Sequence, residues 1–470
     1  MRSFTAGRSL CLPFLGALIL GLVFGSRGRA IDWPQWLGPQ RDGVWRETNL
    51  IKRFPAGGPR VLWRVPVGTG YAGPAVADGR VYVMDRLRAT DAQGKPLRPT
   101  RKGIPGTERL LCLRADDGKQ VWKDEYDCSY TVSYPSGPRT TPVVRDGRVY
   151  SLGAMGHLRC LDAATGKVRW AKELLKEYNL DSPPVWGFAA HPLLDGNRLI
   201  TLVGGKGSAV VAFDKDNGKE LWRALSSEEV GYSPPMIYEA GGKRQLIIWL
   251  SESINSLDPA TGKVYWTEQY PADREPQRPA VNIATVRHMG DLLFISTFYH
   301  GPMMLKLASD HPAATVLWRG KSNNPERPDG LHILMAAPVL KDGYIYGVCA
   351  NGELRCLKAD TGRQLWETYE ATGRKKTDCS SAFLVPNGDR FIIFNDQGDL
   401  ILAELTPKGY HEIDRARILE PLHAARGRMV VWSHPAFAHK CVFARNDKEM
   451  ICLSLAAEDK KDAARKGVNQ

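Results

Sequence analysis

Residues 141–170 read TPVVRDGRVYSLGAMGHLRCLDAATGKVRW, and this stretch decides the fold. Two short apolar runs flank Asp146-Gly147, a pair that favours a tight hairpin turn because glycine tolerates positive φ. Two further runs follow, residues 158–161 and residues 167–170, and a second turn at Gly166 joins them. The stretch therefore predicts four consecutive antiparallel strands.

The closing half of this unit recurs along the chain. In each clear copy, a small residue precedes a glycine by six positions and a tryptophan by ten, and these copies end at Trp122, Trp170, Trp222, Trp266 and Trp366. Degenerate copies end at Trp318 and Ile413, and Trp63 stands before the first copy. The spacing runs from 44 residues (Trp222 to Trp266) to 59 residues (Trp63 to Trp122). This period is typical of a four-stranded propeller blade, in which we expect the tryptophans to be structural.

The two ends of the repeat region complement each other. Trp63 lies in a predicted strand, residues 61–65, that has no blade before it, whereas the last copy stops after its third strand. Pairing the two fragments completes one blade and hides the sheet edges that an open arc exposes. We therefore predict an all-β fold, an eight-bladed β-propeller of four-stranded antiparallel blades over residues 61–455, closed by its N-terminal strand.

The flanking segments predict an exported protein. Arg2 and Arg8 precede an apolar run, residues 10–24, which is too short for a comfortable membrane span and suits a cleaved signal peptide over residues 1–30. Residues 31–60 form an N-terminal arm and residues 456–470 a charged tail. We expect the mature chain to have no membrane span and to be periplasmic or secreted.

Composition excludes several classes of protein. The chain has 470 residues, of which 43% are hydrophobic and 24% charged, which suits a folded, turn-rich protein rather than a disordered one. The net charge of +13 is modest for this length and is dispersed along the chain. The basic residues of the segment 86–109 predict a solvated loop. We therefore expect no nucleic acid among the partners.

The cysteines predict packing rather than chemistry. Cys112, Cys160, Cys356 and Cys452 take the small position of the repeat or its equivalent, and no argument from sequence chooses partners for Cys128, Cys349, Cys379 and Cys441. The chain has no CxxC, no HExxH and no adjacent cysteine pair. We therefore predict no metal site.

The repeat resembles that of the pyrroloquinoline quinone (PQQ) propellers. The residues that carry the resemblance are the opening hairpin, the ending LDAATGKVRW at residues 161–170, and the segment DWPQWLGP at residues 32–39, which is similar to the N-terminal arm of exported bacterial members. The resemblance implies one of two functions. Quinoprotein alcohol dehydrogenases hold PQQ and calcium at the propeller mouth, whereas non-catalytic members, such as the outer-membrane barrel-assembly lipoprotein, bind proteins through their loops.

Candidate ligand-binding residues lie where each fourth strand leads to the next first strand, because in a propeller these linkers meet at the channel mouth. They are rich in aromatic and hydrogen-bonding side chains, which suit a sugar, a planar quinone or a peptide. The candidates are Arg139, Trp186, His191, Tyr232, Asn282, His332, Ser380, Trp432 and His434. His300 and the segment 86–109 are weaker candidates, since both are expected in hairpin connections.

The sequence favours a non-catalytic binding or scaffold protein whose partner, a protein or a small molecule such as a carbohydrate, binds at the channel mouth. No cofactor is predicted. The alternative is a PQQ-dependent alcohol or sugar dehydrogenase with calcium, but the adjacent cysteines of that class are missing and no Glu, Asn and Asp set matches its metal site. A carbohydrate-active enzyme would need two carboxylates facing each other, and the linkers contain few acids.

Overall fold

The fold is an all-β propeller, seen in a computed structural model that describes residue 1 and residues 31–271 and 276–457. Its first strand is β1 (Arg60–Pro66), and one short helix, α1 (Leu174–Glu177), interrupts the strands that follow. The described residues include no helix long and apolar enough to cross a membrane. All but the first residue of the predicted signal peptide, and all but two residues of the predicted charged tail, lie outside the described residues.

Seven blades follow in chain order, each numbered from its innermost strand outward. They are blade 1, β2 (Ala75–Ala77), β3 (Arg80–Arg88), β4 (Gly106–Arg114) and β5 (Gln120–Asp127); blade 2, β6 (Val143–Arg145), β7 (Arg148–Leu152), β8 (His157–Asp162) and β9 (Val168–Glu173); blade 3, β10 (Leu193–Asp195), β11 (Arg198–Leu202), β12 (Val210–Asp214) and β13 (Glu220–Ala224); blade 4, β14 (Met236–Ala240), β15 (Lys243–Trp249), β16 (Ser253–Leu257) and β17 (Val264–Gln269).

The remaining three complete the same pattern. They are blade 5, β18 (Arg287–Met289), β19 (Leu292–Thr297), β20 (Gly301–Leu307) and β21 (Ala314–Arg319); blade 6, β22 (Val339–Lys341), β23 (Tyr344–Val348), β24 (Leu354–Lys358) and β25 (Gln364–Thr368); blade 7, β26 (Ala382–Asn387), β27 (Arg390–Asn395), β28 (Asp399–Thr406) and β29 (Gly409–Arg417). A separate hairpin, β30 (His423–Ala425) and β31 (Arg428–Val430), follows blade 7.

The eighth blade joins the two ends of the chain, as predicted. Its strands are β32 (Ala436–Ala438), β33 (Cys441–Arg445) and β34 (Glu449–Ser454), and β1 pairs antiparallel with β34 on the outside. The register sets Val61 opposite Leu453 and Trp63 opposite Cys452. The innermost strands of the first and eighth blades, β2 and β32, are neighbours, so the ring of eight blades is closed.

The repeated tryptophans join each blade to the next. As the repeat predicts, Trp122 lies opposite Cys112 and Trp170 opposite Cys160 in the strand register. The indole then packs on the next blade, where the Trp122 N–H donates to the Ala163 carbonyl at 3.0 Å. Equivalent bonds run from Trp63, Trp170, Trp222, Trp318 and Trp366, whereas Trp266 donates to Gln245 of its own blade.

In blades 1, 2, 3, 4 and 6 the glycine of the turn before the last strand lies under the tryptophan of the preceding blade, which explains why the repeat needs it. A β-carbon on Gly166, whose φ is +75°, would lie 2.6 Å from the Trp122 ring. We expect Gly166→Ala to lower the free energy of unfolding by about 1 to 3 kcal/mol more than Gly147→Ala does, because of overpacking. Gly147 has a φ of +69° and no atom within 4 Å of its would-be β-carbon, so it controls for backbone strain. If urea unfolding showed the same decrease in the free energy of unfolding for both variants, this packing role would be contradicted.

Blade 7 departs from the repeat at its last strand. The predicted repeat position, Ile413, is the residue skipped by a register shift, and Asp414 lies opposite Leu402 instead. The bulge in blade 7 lies between Leu402 and Ala403, one position further from the turn than the bulge between Cys160 and Leu161 in blade 2. Asp414 accepts the Phe54 backbone N–H at 2.7 Å, so the N-terminal arm covers the place where an indole lies in other blades.

The N-terminal arm crosses the propeller at the inner strands. Trp33 pairs with Val76 of β2, and the Pro34 carbonyl accepts the Val144 N–H of β6. Arg41 is buried and donates to the carbonyls of Pro192 at 3.0 Å and Pro235 at 3.1 Å, before β10 and β14. The backbone N–H of Trp45 donates to the carbonyl of Pro386 in β26. The arm therefore ties together blades that are distant in sequence.

Candidate functional site

The linkers that enter each inner strand enclose a pocket at one end of the central channel. Its volume is about 220 Å³. Aromatic and aliphatic side chains dominate its wall, and the lining consists of Trp36, Tyr71, Tyr134, Arg139, Trp186, Ala189, His191, Tyr232, Val281, Ile283, Phe298, Tyr299, Leu334, Met335, Cys379, Phe383, Arg426, Trp432 and His434. None of these residues carries a carboxylate or a carboxamide.

Two histidines and a tryptophan of the arm meet inside this pocket. The Trp36 ring stacks on His191 with centroids 4.0 Å apart and an interplanar angle of 7°, and meets His434 edge-on at 4.3 Å. Its indole N–H donates to Thr285 Oγ1 at 2.9 Å, which fixes the ring. Trp36 comes from the arm that contacts the inner strands, and it forms the floor of the pocket.

Both imidazoles are held in the neutral form. The Thr141 backbone N–H donates to His191 Nδ1 at 2.9 Å, and the Thr141 hydroxyl lies 2.7 Å from His434 Nε2. Burial lowers the pKa of His434 to about 3, and it lowers the pKa of His191 well below the usual value, with His434 and Arg41 adding to the effect. A general base works best with a pKa near the working pH. These histidines are therefore suited to hydrogen bonding and packing.

The cationic groups lie towards the rim. Arg139 donates to the carbonyls of Ser133 at 2.9 Å and Tyr134 at 2.7 Å, and its guanidinium lies 5.0 Å from the centre of the Tyr71 ring. Arg426 Nε lies 3.5 Å from an oxygen of Asp378. The first arginine is thus fixed by its own linker, and the second remains half exposed.

The structure brings six of the predicted site residues together at the pocket wall: Arg139, Trp186, His191, Tyr232, Trp432 and His434. Trp186 and Tyr232 are neighbours, with ring centroids 5.1 Å apart. The ring centroids of Trp432 and Tyr134 are 5.9 Å apart. Trp186 and Tyr232 come from the linkers into blades 3 and 4, and Tyr134 and Trp432 from the linkers into blades 2 and 8.

Three predicted site residues do not line the pocket. Asn282 donates to the Trp249 carbonyl at 3.0 Å, His332 Nδ1 bonds to the Phe298 carbonyl at 2.9 Å, and the Ser380 hydroxyl lies 3.4 Å from Asp396. All three are buried. Each side chain makes a contact away from the lining of the described pocket, and the assignment of all three as ligand-binding residues stays a prediction.

The weaker candidates are placed in hairpin connections, as predicted. His300 lies between β19 and β20, where its Nε2 accepts the Gln277 N–H at 3.2 Å. The segment 86–109 continues β3 and β4 around their connection. Arg86 is only 2% exposed and donates to the Ile104 carbonyl at 2.6 Å. Neither feature belongs to the pocket.

Sequence reasoning missed the lining residues that precede or interrupt the linkers. Trp36 lies in the non-repeating arm, and Phe298 and Tyr299 lie in the β19–β20 connection. Arg426 is the turn residue of the extra β30–β31 hairpin, with a φ of 49°. The only signal at residues 36, 298 and 299 was their aromatic character, because no repeat periodicity marks these positions.

The pocket does not fit PQQ with calcium. Calcium takes six to eight oxygen ligands, mainly carboxylates and carbonyls. The lining offers no carboxylate or carboxamide oxygen, and Arg139 and Arg426 bring positive charge to the rim. The eight cysteines among the described residues carry free thiols, so no disulfide adjoins the pocket.

Comparison with known proteins identifies the repeat. A PQQ-repeat family model described as Outer membrane protein assembly factor BamB matches residues 106–332 and 306–469. One curated relative is the BamB of Burkholderia pseudomallei, which is 27% identical over 63% of this chain and 69% of the relative. Another is the BamB of Moranella endobia, which is 23% identical over 56% of this chain and 63% of the relative. The chain thus spans about two thirds of the length of these relatives.

Solved structures share the fold at low sequence identity. BamB from Moraxella catarrhalis superposes with a TM-score of 0.50 and 14% identity, over 83% of this chain and 100% of that one. The quinohemoprotein alcohol dehydrogenase ADHIIG from Pseudomonas putida HK5 superposes with a TM-score of 0.53 and 11% identity, over 91% of this chain and 81% of that one. Binding proteins and enzymes thus share this architecture, and the fold alone does not choose between them. The family model nevertheless covers most of the chain, and the protein belongs to the PQQ-like propeller family described as outer membrane protein assembly factor BamB.

Proposed function

We propose that this protein is a non-catalytic binding propeller that acts outside the cytoplasm in outer-membrane protein assembly, holding a segment of a protein partner in the aromatic pocket. The observation that carries the proposal is the pocket's chemistry. Its wall is aromatic, it has no carboxylate, and both of its imidazoles are held neutral by burial. Such a site offers contact area and shape rather than acid–base groups.

The partner's chemistry follows from this wall. Aromatic side chains such as Trp186, Tyr232 and Trp432 supply large contact area for apolar and aromatic side chains, and they are enriched among residues that dominate binding energy. The half-exposed Arg426 at the rim favours a peptide with acidic or carbonyl groups beside its apolar ones. Strands of outer-membrane barrels alternate apolar and polar residues and end in aromatic girdles, so they provide such segments. The names of the relatives and the predicted export signal support a location outside the cytoplasm, where such segments are assembled.

The test uses a fluorescent ten-residue peptide that alternates apolar and polar residues and carries aromatic residues at both ends. We expect saturable binding by fluorescence anisotropy, and a loss of about thirtyfold in affinity for Trp186→Ala or Trp432→Ala, which corresponds to a hot-spot contribution of about 2 kcal/mol. Val121→Ala, on the exposed face of β5, is the control and should bind as the parent does.

Two results would contradict the proposal. One is equal binding of a scrambled peptide by all variants, which would make the pocket irrelevant to recognition. The other is reduction of an electron-accepting dye by alcohols that depends on added PQQ and calcium, since that would make the protein a dehydrogenase.

A further inference from the structure

A second cluster of chemically active side chains lies between blades 1 and 2, away from the described pocket lining. Glu108 comes from β4, Cys128 follows β5, and His157 begins β8. Each offers one ligand atom, and these atoms all lie within 4.8 Å of one another. Cys128 Sγ is 3.8 Å from His157 Nδ1. The three residues are 20 and 29 positions apart in sequence, so no short motif announces them.

The Glu108 carboxylate is held firmly in place. It is 0% exposed and accepts hydrogen bonds from the Ala154 backbone N–H at 2.9 Å, from the Tyr126 hydroxyl at 2.5 Å and from the Tyr130 hydroxyl. A β-carbon on Gly153 would lie 2.1 Å from Glu108 Oε2, so the adjoining backbone needs glycine to leave room for the carboxylate. Hydrogen bonds of this kind orient ligating carboxylates in metal sites.

This carboxylate has no ion-pair partner within 4.0 Å among the described residues. The nearest cation, Arg86, is engaged elsewhere, since it donates to the Ile104 carbonyl at 2.6 Å and lies 4.0 Å from the centre of the Tyr130 ring. A buried charge without a direct counter-charge is costly. A metal cation beside Cys128 and His157 would supply the missing positive charge.

We propose that Glu108, Cys128 and His157 bind one Zn²⁺ ion. Thiolate, imidazole and carboxylate are the three side-chain ligand types of zinc, whereas calcium and magnesium prefer oxygen ligands alone. Zinc–sulfur and zinc–nitrogen bonds of about 2.3 and 2.0 Å place sulfur and nitrogen less than 4 Å apart, as Cys128 and His157 are. Binding releases the thiol proton of Cys128 to solvent, and water completes the fourth position.

Such an ion would connect β4, β8 and the segment that follows β5. Cys128 opens the linker between β5 and β6, and the same linker delivers Tyr134 and Arg139 to the pocket wall. A bond from Cys128 through zinc to β4 and β8 would fix the start of this linker to two blades. The site departs from the expectation, drawn from the missing short motifs, that the chain has no metal ligands.

The experiment titrates the full chain, stripped with a chelator, with Co²⁺ and then with Zn²⁺. We expect one Co²⁺ per chain with a thiolate-to-cobalt charge-transfer absorption, its loss when Zn²⁺ displaces the cobalt, and a higher melting temperature with Zn²⁺. Cys128→Ser should abolish the absorption. His157→Gln, at a half-buried position, should weaken binding by at least about tenfold, since even loss of an outer-shell partner costs 10- to 100-fold.

The matched control is Cys349→Ser, which removes another buried free thiol far from the cluster in sequence and should keep the absorption. Circular dichroism verifies that each variant is folded, and His157→Gln keeps the proposal testable if Cys128→Ser fails to fold. Absence of stoichiometric metal in the parent protein, or charge-transfer absorption that survives in folded Cys128→Ser, would overturn the site. Neither result depends on peptide binding at the pocket.

Discussion

Replacing Trp63 by alanine should lower the free energy of unfolding by about 3 to 5 kcal/mol, the range for truncating a buried tryptophan. Trp63 is 7% exposed, its indole N–H donates to the Ala115 carbonyl at 2.9 Å, and its ring covers Gly118. It also lies in the strand that closes the ring against β34. The variant therefore loses packing, a hydrogen bond and support for the closure at once. Urea unfolding followed by tryptophan fluorescence and circular dichroism measures the loss.

The matched control for Trp63 is Trp366→Ala. Trp366 has the same role between blades 6 and 7, where it donates to the Thr406 carbonyl at 2.8 Å, but its ring is only half-buried and it joins two blades that are continuous in sequence. We expect its loss to cost about 1 to 2 kcal/mol. A Trp63→Ala variant no less stable than Trp366→Ala would contradict a special role for the closing strand.

Acidification from pH 7 to pH 4 should destabilise the protein through the two histidines of the pocket. The pKa of His434 is lowered by burial to about 3 in the folded state, against a usual value near 6.5. The unfolded chain therefore binds more protons between these values, and stability rises with pH through this window and is lost as pH falls. Between pH 7 and pH 4 the displacement sets an upper limit of about 3 kcal/mol for His434 at 1.36 kcal/mol per pKa unit. The lowered pKa of His191 adds a contribution of the same sign.

The check is the pH dependence of urea unfolding in the parent protein and in His434→Gln, whose side-chain amide can still bond to Thr141. We expect the variant to lose less stability than the parent between pH 7 and pH 4. His311→Gln removes an imidazole at a turn where the side chain is 65% exposed, and it controls for the loss of one histidine. The same pH dependence in all three proteins would refute the assignment to the buried ring.

The propeller was predictable because its determinants are local. The hairpin turn at Asp146-Gly147, the turn glycine Gly166 and Trp170 opposite Cys160 all lie within one blade, so each clear copy repeats the whole pattern. Closure followed from the unmatched strand around Trp63. The displaced bulge at Ile413 was not predictable, because the repeat pattern does not mark it and Asp414 bonds to Phe54 of the arm, which is far away in sequence.

The pocket was predictable only in outline. Aromatic linkers indicated a mouth, and Trp186 and Trp432 are found there. Whether a linker side chain faces the pocket or its neighbouring blade depends on local backbone direction, which is why His332 is instead bonded to the Phe298 carbonyl. Trp36 reaches the pocket from a segment with no repeat. Ligand identity and the grouping of Glu108, Cys128 and His157 depend on contacts between separate blades, so sequence spacing carries no signal for them.

The closure of the ring also imposes an order on biogenesis. β1 is synthesised first among the strands, but its partner β34 begins only at Glu449, close to the end of the described chain. The arm that carries Trp36 contacts inner strands from β2 to β26 and cannot be seated before those strands exist. The arm and β1, which are synthesised before all other strands, are thus the last to dock. A nascent chain halted midway would have neither a sealed circumference nor a finished cavity, so interrupted synthesis cannot yield a partly formed pocket.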